Sequence, residues 1–150
     1  MEAVDYFTKH EQDIIEDMKW IVIRAMEYAM EHNGNHLRFE MGEGQEQILM
    51  IGHYDTVWDR GVLSYRVEDD KIYGPGILDM KSGLVSAYVK QFNLPLKRRV
   101  VFFLNSDEEI GSPTSRALIE EEAKKSSAAF ILEPAVTVSG ELKIARKGTS

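Results

Sequence analysis

The run Val100-Val101-Phe102-Phe103-Leu104 sets the strongest limit on how this chain can fold. Five successive apolar residues, β-branched and aromatic, leave no polar face to turn towards water, so the run reads as a buried strand. Gln47-Ile48-Leu49-Met50-Ile51 reads the same way, as a strand covered on both faces, and residues 128–132 form a further strand. Between these runs lie helical segments. Residues 80–92 carry Leu84, Val85, Ala87 and Val89, and residues 112–125 open on Ser112-Pro113, with serine at the cap and proline in the first turn. The longest periodic segment covers residues 11–33, where Ile14, Met18, Ile21, Val22, Ala25, Met26, Ala29 and Met30 share one face and Gly34 stops the helix. Strands alternating with helices predict an α/β layer structure with a largely parallel sheet. Shorter pieces complete it: a strand at 37–41 before the turn Gly42-Glu43-Gly44, a hairpin of 63–67 and 71–73 around Glu68-Asp69-Asp70, and a last strand at 141–146.

Composition narrows the class of function. The chain has 150 residues, one ordinary domain, with 43% hydrophobic and 29% charged residues. A net charge of −7 without a basic stripe argues against nucleic acid as a partner, and Lys97-Arg98-Arg99 reads as the polar start of a strand. No cysteine is present, which excludes disulfides, thiolate catalysis and Cys-based zinc fingers, so any metal must be held by histidine and carboxylates. The acidic N-terminus has no charged-then-apolar leader, and no apolar stretch is long enough to cross a bilayer. The expectation is a cytoplasmic protein that uses no membrane, although a cysteine-free chain fits an extracellular setting equally well.

The informative residues follow the buried runs. Ile51 is followed by Gly52-His53-Tyr54-Asp55-Thr56, Leu104 by Asn105-Ser106-Asp107-Glu108-Glu109, and Leu132 by Glu133-Pro134. In open α/β sheets, ligands and catalytic groups collect beyond the carboxyl ends of the strands. Three strands therefore deliver a histidine and several carboxylates to one edge, and Asp79, after Gly74-Pro75-Gly76, can reach it too. Carboxylates crowded in a partly buried cleft repel one another and lose their charge unless a cation joins them. Histidine with carboxylates and no cysteine suits catalytic zinc, and Asp55 is spaced to accept the other ring N–H of His53. Each piece alone is commonplace: a lone histidine after a strand is usually a loop or core residue, and Asp-Glu-Glu is usually a solvated turn. The joint placement at three strand ends lifts the set. His10, His32 and His36 flank element ends and receive no role.

Four segments in order, Gly52-His53-Tyr54-Asp55-Thr56-Val57, Gly74-Pro75-Gly76-Ile77-Leu78-Asp79-Met80-Lys81, Ser106-Asp107-Glu108-Glu109-Ile110-Gly111-Ser112 and Leu132-Glu133-Pro134, resemble the zinc exopeptidase and deacylase family of glutamate carboxypeptidase, acetylornithine deacetylase, succinyl-diaminopimelate desuccinylase and aminoacylase. The resemblance implies a three-layer α/β/α catalytic domain with a mostly parallel mixed sheet. It implies two zinc ions, replaceable by cobalt or manganese: His53 and Glu133 on the first, Asp79 bridging both, Glu109 on the second. It makes Glu108 the general base that activates water and protonates the leaving amine, and Asp55 the residue that orients His53. The implied substrate is a small peptide or N-acyl amino acid, and the product a free amino acid.

Departures from the family limit that expectation. Its remaining metal ligand, a histidine near the far C-terminus, has no counterpart before Ser150, so the second zinc site is short of one histidine. The inserted lid and dimerisation domain, which recognises the substrate carboxylate in the family, is also lacking, so residues 1–150 read as an N-terminal portion of the catalytic domain. One helix precedes Leu37 where the family usually has two, and the 80–92 helix is short. The competing readings are a non-catalytic metal-binding α/β fragment or assembly module, self-associating through an exposed sheet edge, and a plain structural domain with acidic loops.

Overall fold

The computed structural model describes residues 35–59, 61–69, 71–92, 96–135, 140, 141, 143 and 144. The helix expected over 11–33 lies outside them.

The two unbroken apolar runs lie side by side at the centre of a four-stranded sheet. Strands β1 (Leu37–Met41), β2 (Gln47–His53), β5 (Arg99–Asn105) and β6 (Ala128–Ile131) are arranged in the order β1-β5-β2-β6. β2 runs parallel to both β5 and β6, pairing Leu49 with Val101 and with Ala129, while β1 runs antiparallel to β5 and pairs Phe39 with Phe102. Strands β3 (Arg66–Glu68) and β4 (Lys71–Tyr73) form a separate hairpin, shorter than expected because Leu63–Tyr65 stays outside it.

Alternation along β5 divides its side chains between two cores, as a strand's period of two requires. Val100 and Phe102 join Phe39 on one face, where Ala87 of helix α1 (Ser82–Phe92) packs. Val101 and Phe103 join Leu49 on the other, under Leu118, Ile119 and Ala123 of helix α2 (Arg116–Lys124). Helices therefore cover opposite faces of β5, which is why β5 needs no polar side and why the fold is a three-layer α/β/α arrangement around a mixed, mostly parallel sheet.

Both helices begin later than the sequence suggests. Ile77–Lys81 forms an irregular wide turn with Asp79 and Met80 in non-helical conformations, so α1 starts at Ser82 rather than Met80. Ser112 has a left-handed φ of 57° and is not a helix cap; α2 starts at Arg116, with Ser115 at its N-cap. The competing force is Asp107, which captures the amides and hydroxyls of Thr114 and Ser115. Glu141, Lys143 and Ile144 belong to no strand, which corrects the expected strand at 141–146 for those residues. At the edge, β6 exposes all four of its residues.

The end of the sheet where β2 and β5 begin is tied by a charged network. Glu122 on α2 is nearly buried and meets Arg38 at 3.2 Å, Lys125 at 3.1 Å and Gln47 at 3.0 Å. Burial alone would raise the pKa of Glu122; hydrogen bonds from Arg38, Lys125 and Gln47 outweigh it and hold the carboxyl below its usual range. A depressed folded-state pKa adds stability above the unfolded value of about 4.3, lost as pH falls through the folded value. Glu122→Gln should therefore cost about 1–3 kcal/mol at neutral pH, with a gap that closes on acidification below roughly pH 4.5. Urea unfolding of both proteins across pH 3–7 measures this, and a constant gap would remove the network from the fold's acid sensitivity.

Candidate metal centre

His53 is the last residue of β2 and is 1% exposed. Its backbone N–H donates to Met80 Sδ at 3.2 Å, which seats the irregular turn carrying Asp79 against the strand end. Gly52 allows this approach: an added Cβ there would meet the side chains of Leu84 and Met80. Gly83, in the first turn of α1, leaves no room for a Cβ beside the Leu132 carbonyl oxygen, so the helix start lies directly on the segment that presents Glu133. On the far side of the turn, Gly76 adopts φ 66°, and Lys81 closes the bend with its N–H on the Gly76 carbonyl at 3.0 Å and its Nζ on the Pro75 carbonyl at 2.9 Å.

The imidazole of His53 has a different partner on each nitrogen. Nδ1 lies 3.1 Å from Asp55 Oδ1, and a carboxylate only accepts, so Nδ1 carries a proton. In the neutral ring Nε2 is then a lone pair, and it faces Asp79 Oδ1 at 3.2 Å, Glu133 Oε1 at 3.5 Å and Glu108 Oε2 at 3.8 Å. Acceptors face acceptors unless a cation or a further proton lies between them. Burial pulls the His53 pKa down, but the charges of Glu108 and Asp55, the Asp79 hydrogen bond and the charge of Glu133 together raise it. Glu133 is raised as well, by burial first and then by the charge of Asp79, partly offset by His53. The neighbouring carboxylates contribute to both shifts, after burial in each case.

A divalent cation of the size of zinc would fit that deficit of positive charge. Donors about 2.0–2.2 Å from a shared tetrahedral centre lie roughly 3.3 Å apart. His53 Nε2 meets that spacing at 3.2 Å from Asp79 and 3.5 Å from Glu133, and one donor atom from each of the three residues lies within 4.8 Å of the others.

Glu108 and Glu109 sit on a single tight turn, Glu108–Ile110, just beyond β5. The second oxygen of Asp55 accepts the Glu109 N–H at 3.0 Å, so one carboxylate links the histidine of β2 to the turn after β5. The Glu109 side chain is outside the three-donor group; it lines, with Asp79, a cleft of about 260 Å³ whose walls include Val57, Trp58, Gly76 and Leu78. The sequence-predicted residues are thus divided: His53, Asp79, Glu133 and Glu108 converge on one point, Asp55 supports them, and Glu109 stands in the adjoining cleft.

With this geometry in place, similarity to known proteins can be read residue by residue. The sequence pattern of Peptidase family M20/M25/M40 matches residues 49–146. The chain belongs to this family. It is 38% identical over 117 residues to carboxypeptidase G2 of Pseudomonas sp. (strain RS-16), covering 73% of this chain and 28% of that protein. It is 28% identical over 146 residues to succinyl-diaminopimelate desuccinylase of Orientia tsutsugamushi (strain Ikeda), covering 85% of this chain and 37% of that one. The fold is similar to that of the M20 family metallo-carboxypeptidase Sso-CP2 from Sulfolobus solfataricus, with a TM-score of 0.55 at 20% identity over 70% of this chain and 27% of that one. The chain thus spans about a third or less of the length of these M20 relatives. Among the described residues, no helix is long and apolar enough to cross a membrane.

Sequence reasoning gave no role to Asp107, Met80 or His36; Met80 Sδ meets the His53 N–H, and Asp107 and His36 both meet Thr114. Asp107 accepts from the Thr114 N–H and hydroxyl, both at 2.7 Å, and from the Ser115 hydroxyl at 2.6 Å and N–H at 3.3 Å. Burial opposes its charge, but these four donors hold its pKa down to about 2. The signal was present as an acidic residue followed seven and eight positions later by Thr114 and Ser115, a longer interval than that of an ordinary helix cap. Asp107→Ala should cost about 2–4 kcal/mol at neutral pH, and Asp107→Asn less, because an amide oxygen still accepts. Denaturant unfolding decides it; a loss within about 0.5 kcal/mol, as for an ordinary surface change, would refute the anchoring role.

Proposed function

We propose that this chain carries the metal centre of a zinc-dependent hydrolase of amide bonds, of the glutamate-carboxypeptidase type, which releases a C-terminal or N-acylated amino acid. The observation that carries the reading is His53 Nε2 surrounded by the carboxylates of Asp79, Glu133 and Glu108, with the other ring nitrogen on Asp55. His53 and Glu133 would hold the first zinc, Asp79 would serve either ion, and Glu109 would serve the second. Bound zinc would polarise the substrate carbonyl and acidify a water molecule.

The chain's own residues supply the remainder. Glu108, with its side chain 47% exposed at the rim, takes the proton of the attacking water and returns it to the departing amine. Asp55 keeps the His53 tautomer fixed and holds the Glu109 N–H, so the histidine and the Glu108–Glu109 turn keep their spacing. The cleft lined by Val57, Trp58 and Leu78 offers apolar surface beside Asp79 and Glu109 to the substrate's non-reacting part. Residues 1–150 then form an N-terminal portion of a catalytic domain, cytoplasmic in setting. Its exposed β6 edge is open to pairing with another chain.

Zinc titration followed by calorimetry tests the reading directly. The chain should bind zinc with submicromolar affinity, and His53→Ala or Glu133→Ala should weaken it by about a hundredfold or more. Glu109→Ala should remove affinity for the second ion only. Any hydrolysis of dipeptides or N-acyl amino acids by the zinc-loaded chain should fall by about 10²–10⁴ in Glu108→Ala with zinc retained. Zinc binding without hydrolysis would leave this chain a metal-binding part without turnover, and no binding below micromolar zinc would sink the site itself.

A further inference from the structure

His36 is a buried titratable group for which the proposed chemistry has no use. It is 1% exposed, just before β1, with its ring stacked on Phe103 at a centroid distance of 6.1 Å. The Ser106 backbone N–H points at Nδ1 from 3.3 Å. A backbone amide can only donate, so Nδ1 is a lone pair and the proton of the neutral ring is on Nε2. That Nε2–H meets Thr114 Oγ1 at 3.0 Å. The Thr114 hydroxyl hydrogen is then free for Asp107 Oδ2 at 2.7 Å, and Asp107 is the acceptor that ends the series. The Ser106 hydroxyl lies 3.4 Å from the same Nδ1, so the backbone N–H, His36, Thr114 and Asp107 form a series with one consistent direction.

Ser106 and Thr114 are the two stems of the segment that carries Glu108 and Glu109. Within it the Ser112 N–H closes on the Asp107 carbonyl at 2.7 Å and the Gly111 N–H on the Glu108 carbonyl at 2.8 Å. From outside, Asp55 holds the Glu109 N–H and His36 joins the stems. An acceptor and a donor at opposite sides of one rigid, uncharged ring suit this span; a side chain offering only one of them leaves a stem untied. We propose that His36 is a positioning residue, which as the neutral Nε2–H tautomer clamps Ser106 to Thr114 and thereby sets where Glu108 and Glu109 stand relative to His53. Its consequence for metal binding rests on the proposed role of Glu109; the clamp itself does not.

The test compares the full chain with His36→Phe, which keeps a ring against Phe103 but removes both hydrogen bonds, and His36→Gln, which keeps a donor able to reach Thr114. Amide hydrogen exchange by NMR in the metal-free chain should quicken about tenfold or more at Ser106, Glu109 and Ser112 in His36→Phe, and less in His36→Gln, while Leu49, Val101 and Phe103 stay as protected as before. Zinc titration of the same proteins should show weaker binding of the ion that uses Glu109, by about tenfold, with the His53 ring resonances still responding to the first ion. Unchanged exchange at Glu109, or a rise spread evenly over the sheet, would overturn the clamp. Quickened exchange with equal zinc binding in wild type and variant would overturn its functional half. Quickened exchange in a chain that binds no zinc at all would support the clamp and reject the metal reading instead.

Discussion

A lone pair that faces only negative oxygens is the constraint on which this structure turns. With the Nδ1–H of His53 donated to Asp55, the neutral ring has no second proton on Nε2 to offer Asp79, Glu133 and Glu108, and their charges have little to balance them. After burial, which lowers the one and raises the other, this imbalance contributes to the raised pKa values of both His53 and Glu133. A proton can relieve part of it; a divalent cation would relieve more, and the spacing of His53 Nε2 from Asp79 and Glu133 suits one. Most of the local architecture can be understood as what is needed to hold such an unfavourable arrangement in place.

The holding is done by the sheet. Parallel strands put their carboxyl ends on one edge, and the register of β2 against β5 sets His53 opposite Asn105. The segment holding Glu108 therefore emerges beside the histidine, and Glu133 follows β6 on the other flank of β2. Two opposed apolar cores clamp β5 between α1 and α2, so the strand cannot slip by one residue without exchanging Phe102 and Phe103 between faces. The buried charge of Glu122 and its partners secures the opposite end of the same strands, far from the chemistry.

This division explains what could be read from the sequence alone. The unbroken runs at Gln47–Ile51 and Val100–Leu104 announced their burial because nothing in them suits water, and the polar residues after them marked the functional edge. The α/β class and the family followed from those runs and motifs. Helix starts were less legible. Ser112-Pro113 has the composition of a helix N-terminus, yet the Asp107 carboxylate takes the amides that such a cap would serve, and Ser112 is left with φ 57°. Met80 has the look of a helical residue, but its sulfur is held by the His53 amide and its backbone is bent with Asp79 out of the helix. In each case a contact from beyond the helical turn overrode a local preference: Asp107 acts from seven and eight positions before Thr114 and Ser115, and His53 from 27 positions before Met80. His36 was illegible for the same reason: its partners are 70 and 78 positions away.

The three consecutive acids Asp107, Glu108 and Glu109 show how one short segment yields unlike groups. Asp107 turns inward to four donors, which hold its pKa near 2 and make it a permanent anion inside the fold. Glu108 turns to the rim, within 3.8 Å of His53, with about half of its side chain open to solvent. Glu109 points into the cleft it shares with Asp79, and its backbone, not its carboxylate, binds Asp55. Three like charges in a row would repel in an extended chain; the tight turn at Glu108–Ile110 sends them in different directions and so lowers the cost of keeping them together. The inward aspartate stabilises the turn that separates the other two. Three acids can therefore stand side by side in sequence and face different surroundings because the first of them is fully hydrogen-bonded.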